Sequence, residues 1–208
     1  MSGYEALRDA IVRGEIGADA RLVEHDVSAR FAMPRGAVRT ALVRLEHEGL
    51  VVREPNRGAR VRRIGDEEAV EILEARAALE ALAARKAAQR IDAAGAERLH
   101  ACLERHGALL ALGDLLAASD ANADLHATLL ELSGHRIAQQ LIRGLKSQTV
   151  RFQFRTILVP GRPGASHAEH RAIVEAVTGG HPKRAERAMR EHLLNVAGAL
   201  RGSVTPRP

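Results

Sequence analysis

The sequence predicts a mainly α chain in two parts. Three short helices and a β-hairpin occupy residues 1–64, and an all-α six-helix bundle follows over residues 65–208. Three observations predict this. Aromatics are only 2%, with no Trp and one Tyr, while Ala, Leu, Arg and Glu dominate, a mix that favours helices over sheets. Apolar residues recur at helical spacing almost throughout, with one alternating stretch, "LVVREPNRGARVRRI". Charge divides along the same line: nine arginines stand against three glutamates in residues 30–63, a net +6, whereas residues 65–208 carry +2. A basic front on a near-neutral body points to a polyanion partner for the front alone, although a solvated arginine-rich face reads the same way on charge. The single cysteine, Cys102, excludes an internal disulfide framework and fits a reducing cytosol. No apolar run is long enough to span a membrane, and "MSGYEALRDAIVRGE" is too charged for a signal peptide, so a cytoplasmic chain is expected.

Within the first 64 residues, "YEALRDAIVRGEI" sets Leu7, Ile11 and Val12 on one stripe ended by Gly14. "LVEHDVSARF" reads as a second short helix. In "PRGAVRTALVRLEHEGL", Val38, Ala41, Leu42 and Leu45 fall at i, i+3, i+4 and i+7, with Pro34 suited to the first turn and Gly49 to the stop. Arg35 and Arg39 lie one turn apart, opposite that stripe and near the helix start. Two short strands around Pro-Asn-Arg-Gly complete a winged helix-turn-helix. In that fold the recognition helix enters the major groove, where the arginine fork matches guanine O6 and N7. The wing sets Arg57 and Gly58 beside the backbone or minor groove.

These residues closely resemble the DNA-binding domain of the GntR family of bacterial transcription regulators, over residues 4–64. The family's Ser-Arg-Thr/Gly-Pro-Val-Arg segment stands here as "PRGAVR", with Pro34 and Ala37 departing from it. The resemblance implies DNA contacts from Arg35, Gly36 and Arg39, from wing residues Arg57 and Gly58, and from His25 toward a phosphate.

From Asp66 onward six helical segments follow, broken at Ala94-Gly95, Gly113, Gly134, "PGRPG" and "GGHP". Ser166 and Glu169 read as a capping box, which starts a helix at Ser166 and puts His170 in its first turn. Gly179, Gly180 and His181 make a turn, and Pro182 opens the last helix. His170 lies nine residues before Gly179 and His192 ten after Pro182, so each sits roughly 14 Å from the turn and the two meet at one level. Asn122 and His126, at i and i+4 in "NADLH", share a face of another helix. Three histidines and an amide oxygen suit Zn, Ni or a related divalent ion. Any one inward histidine is more often a hydrogen-bonded core residue; three at matching height need a shared partner. His167 and His181 read as solvated caps, and His100 and His106 carry no signal.

The body, residues 66–201, resembles the FCD domain, the effector-binding domain of the FadR subfamily of GntR regulators. The family's Asp-x-x-Phe-His stands here as "NADLH", and its Glu-His…His-Leu as "EHRAIVEAV…MREHL". The resemblance implies metal ligation by Asn122, His126, His170 and His192, with Asn122 where Asp is usual. It implies a small organic acid as effector, which Arg76 would clamp; an intrahelical pair with Glu80 is the alternative for that arginine. The reading is a homodimeric, sequence-specific regulator on a palindromic operator, a repressor by the family's commoner behaviour. A metal-dependent enzyme using the three histidines is a rival, opposed by the want of a carboxylate placed beside them as a general base and by the basic winged module it would leave unexplained. A regulator with a purely structural site is the other.

Overall fold

The structure, a computed structural model, describes residues 2–54 and 58–203, apart from the side chains of 150, 151, 153 and 154. It divides into two compact units, residues 1–65 with 144–151, and residues 66–143 with 152–208.

The first unit contains α1 (Gly3–Val12), β1 (Arg21–Leu22), α2 (Glu24–Arg30), α3 (Arg35–His47), β2 (Val51–Glu54) and β3 (Gly58–Val61). Helix α1 opens on a reciprocal cap, in which the Ser2 hydroxyl accepts from the Glu5 amide and the Glu5 carboxylate accepts from the Ser2 amide. Leu7 and Ile11 of α1, Val38, Leu42 and Leu45 of α3, and Val51 and Val61 of the hairpin bury together as the core. The apolar spacings read from the sequence are thus the buried faces. Gly49 ends α3 in the left-handed region, at φ +70°.

Two local expectations give way. The second helix starts at Glu24, because Leu22 belongs to β1, pairing antiparallel with β3 opposite Ala59 and buried in the sheet. The sheet order is β1-β3-β2, with Val51 opposite Val61 and Glu54 opposite Gly58. A two-residue strand has no period to read, so only its partner reveals it. Pro34 caps α3 from outside, with extended ψ, and Arg35 is the first helical residue.

The second unit holds α4 (Asp66–Ala88), α5 (Ala93–Ala111), α6 (Leu115–Ser133), α8 (Arg162–Thr178), α9 (Pro182–Gly202) and the flanks of α7 (Arg136–Ile157). Asp92 and Asp114 cap α5 and α6 through their carboxylates, and Gly134 closes α6 at φ +61°. Helix α4 packs on α6, α8 and α9, α5 on α6 and α8, and α8 on α9. Leu99, Leu125, Leu129, Ile173, Met189, Leu193 and Leu200 are fully buried among them.

Helix α8 begins a turn earlier than the capping box predicts. Gly161, at φ +78°, turns the chain, and Pro163 sits in the first turn, where its fixed φ suits the helix and its missing N–H costs nothing. Ser166 is therefore inside the helix, His170 lies in its third turn, and Glu169 is free for other partners.

Gly58 carries the tightest backbone approach in the sheet. Its φ is +86°, and a Cβ there would collide with the Leu22 carbonyl oxygen. Gly58→Ala should lose about 1–3 kcal/mol in denaturant unfolding of the full chain. Gly36→Ala, where a Cβ meets nothing within 4 Å, should lose none.

Candidate functional sites

The first candidate is the exposed face of α3. Burial of Val38, Ala41, Leu42 and Leu45 leaves Arg35, Gly36 and Arg39 in solvent at the helix start. His25 is exposed on α2. Gly58 stands at the foot of β3; the expected contact Arg57 lies outside the described residues. The basic stretch is less bare than its arginine count suggests. Arg39 donates to Glu24 at 2.9 and 3.1 Å, Arg60 to Glu54 at 2.9 Å and Arg63 to Asp19 at 2.7 Å. Arg44 stacks on the Tyr4 ring, 3.9 Å from its centroid. Burial, then the hydrogen bond to Glu48, pushes the Tyr4 phenol up to about 12.

The second candidate lies in the helical body. His126 on α6, His170 on α8 and His192 on α9 are all buried and offer nitrogens within 4.8 Å of one another. Nε2 of His170 stands 3.3 Å from Nε2 of His126 and 3.2 Å from Nε2 of His192. Those are the separations of nitrogens about 2.0–2.1 Å from one shared ion.

Two carboxylates determine which nitrogens face inward. Nδ1 of His126 is 2.7 Å from Glu80 Oε2, and Nδ1 of His192 is 2.7 Å from Glu169 Oε2. A carboxylate only accepts, so each Nδ1 carries a proton and each ring turns its Nε2 toward His170. The carboxylates are themselves gripped. Arg76 donates to Glu80 Oε1 through Nε at 2.9 Å, and its Nη2 lies 2.8 Å from the same oxygen. Arg162 spans both Glu169 oxygens at 2.8 and 3.0 Å, and Asn195 donates to Oε1 at 2.9 Å. The result is two Arg–Glu–His chains, one through each of two inward-facing imidazoles. Burial opposes charge on Glu169, but the hydrogen bonds from His192, Arg162 and Asn195 outweigh it and hold the carboxyl at about 2.

His170 has no such carboxylate. Burial, then the neighbouring His192 and His126, drives its pKa well below the ordinary imidazole value, so the ring is neutral. At most one proton on its Nε2 can serve the two nitrogens facing it. Its Nδ1 and the Oδ1 of Asn122 are buried without a hydrogen-bond partner among the described residues. Converging imidazole nitrogens and an orphaned amide oxygen one helical turn from His126 form a donor set that fits a divalent ion.

The sequence reading missed several of these residues. Glu80 and Glu169 stand beside the histidines, where both are tied up orienting imidazoles. Arg76 pairs with Glu80, the intrahelical alternative. His167 is no solvated cap: its Nδ1 lies 3.3 Å from Nδ1 of His106, which is buried. Burial, then His167 and His192, lowers the His106 pKa to about 4. The Arg76–Glu80 pair was legible from its i,i+4 spacing, but the link from Glu80 on to His126 was not. His106, among exposed neighbours on α5, offered no pattern.

The bacterial regulatory proteins of the gntR family match residues 3–61, and the FCD domain matches residues 71–195. The chain belongs to the gntR family, with an FCD body. The HTH-type transcriptional repressor GlaR of Escherichia coli K12 is 28% identical over 206 residues, covering 93% of this chain and 92% of that protein. The HTH-type transcriptional repressor RspR of the same strain is 27% identical over 198 residues, covering 95% and 87%. Among solved structures, E. coli McbR/YncC superimposes with a TM-score of 0.79 at 18% identity, covering 96% of this chain and 95% of that one. A GntR transcriptional regulator from Rhodococcus sp. RHA1 gives 0.71 at 23% identity, covering 97% of each chain. These likenesses confirm the winged front and helical body.

The chain is therefore a DNA-binding transcription regulator of the gntR family, and the enzyme reading falls with that assignment: family and relatives are regulators. No helix among the described residues is long and apolar enough to cross a membrane.

Glu80 is 1% exposed and holds both a cation and an imidazole. Glu80→Ala should cost the gntR protein about 3–5 kcal/mol in chemical denaturation, because it strands a buried partner. Glu131→Ala, which breaks the exposed pair with Arg98, should leave the midpoint almost unchanged.

Proposed function

We propose that this gntR protein is a ligand-responsive repressor whose FCD body binds a divalent metal ion and a small carboxylate. The observation that carries the reading is the convergence of three imidazole nitrogens, two of the rings oriented by carboxylates, with an unpartnered amide oxygen one helical turn from His126. His126, His170, His192 and Asn122 would hold the ion, Zn or Ni by donor type. A bound ion supplies Lewis-acid positions that accept carboxylate oxygens. Asn122 brings an oxygen without a charge, so an anionic effector has more positive charge to meet than at a site with aspartate.

Arg76, 11% exposed and gripping Glu80, acts on such a ligand through the orientation of His126. A ligand shifts DNA affinity only by binding two arrangements of the protein unequally, and a homodimer on a palindromic operator is the arrangement proposed. Repression is proposed because GlaR and RspR carry that name.

On DNA, Arg35, Gly36 and Arg39 would meet base edges, with His25, Arg57 and Gly58 toward the backbone. Arg35→Ala or Arg39→Ala should each cost about 1–3 kcal/mol in operator binding and relax base preference. If both bind like wild type, α3 is not the reading helix. Elemental analysis and calorimetry with a panel of carboxylates test the body. Metal near one per chain, with heat from at least one acid that disappears in chelator, is expected. Metal without heat from any acid leaves a structural site.

A further inference from the structure

His106 and His167 belong to neither site above. His106, on α5, is 4% exposed; His167, on α8, is partly exposed and lies one turn before His170. Their Nδ1 atoms are 3.3 Å apart and their ring centroids 5.2 Å. The His106 ring stands edge-on to His170, with centroids 5.3 Å apart. His170 in turn lies 5.3 Å from His126 and 4.4 Å from His192 by ring centroid. Five imidazoles thus run without a gap from a partly exposed ring to the deepest one.

The outer pair is built, not incidental. A Cβ on Gly107 would stand 2.8 Å from Cε1 and 3.0 Å from Nε2 of His167, so that ring rests on bare α5 backbone. Two neutral imidazoles meeting through Nδ1 share one proton, the donor ring's Nε2 being bare. When the donor ring carries its proton on Nε2 instead, two lone pairs face each other across 3.3 Å, the spacing found in the inner set. Two nitrogens hold a divalent ion more weakly than three nitrogens and an oxygen. That suits a station an ion must leave.

An ion bound for His170, which is fully buried, must shed water in an apolar bundle unless ligands replace that water along the way. We propose that His106 and His167 form an outer two-imidazole binding pair for a borderline-soft divalent cation, through which the ion reaches the three-histidine site. The inference rests on the metal reading of that inner site.

The test mixes metal-free full-length protein with Co2+ in a stopped-flow instrument, following ligand-field absorption, and measures equilibrium affinity by titration. His167→Ala removes the outer ligand. Gly107→Ala keeps both histidines, favours the helix and displaces the His167 ring. Both variants should bind Co2+ at least about tenfold more slowly, with equilibrium affinity within about twofold of wild type. Unchanged rates overturn the loading role while leaving the inner site standing. Slower binding matched by an equal loss of affinity also overturns it, since the pair would then act on the inner site's stability. A wild-type protein that gives no Co2+ signal overturns the metal reading itself, and this proposal with it.

Discussion

The body is organised around the problem of burying three imidazoles at one point. A neutral imidazole carries one donor and one acceptor, and three rings facing through the same nitrogen cannot all be satisfied by each other. Glu80 and Glu169 settle the matter for two of them by accepting hydrogen bonds from Nδ1, and Arg76 and Arg162 pair with those carboxylates in turn. The positions of α4, α6, α8 and α9 follow from this, since each contributes a member to the Arg–Glu–His chains. Ile173, Val174, Met189 and Leu193, on the same helices as His170 and His192, are fully or almost fully buried, so the polar set shares its helices with ordinary core packing.

The two halves of the chain are built on different logic. The winged front gathers one apolar core from short elements and turns its arginines outward. The FCD body spends its interior on a polar constellation that a purely structural bundle would fill with leucine. Replacing a buried charged pair by well-packed apolar residues is often neutral or stabilising. The Arg–Glu–His chains are therefore better explained by what they orient than by stability.

Much of this was legible in the sequence, and the failures have physical causes. Stripes such as Val38, Ala41, Leu42 and Leu45 became buried faces because helix period and core burial select the same residues. His170 and His192 came to one level because a helical hairpin has fixed rise per residue. Strand β1 was invisible, being two residues long and defined by its partner. The start of α8 was misread because Ser166 and Glu169 fit a capping pattern, while Gly161 and Pro163 provided a stronger start one turn earlier. The roles of Glu80 and Glu169 required tertiary neighbours from other helices, which no local spacing encodes. His106 was silent for the same reason.

The ion pairs on the basic front carry one more consequence. Arg39, Arg60 and Arg63 already hold Glu24, Glu54 and Asp19 in the free protein. A phosphate reaching any of these guanidinium groups competes with a carboxylate as well as with water, and an acidic side chain then needs a new neighbour. Counterion release upon complex formation is accordingly diluted, and affinity should fall less steeply with ionic strength than the tally of arginines implies.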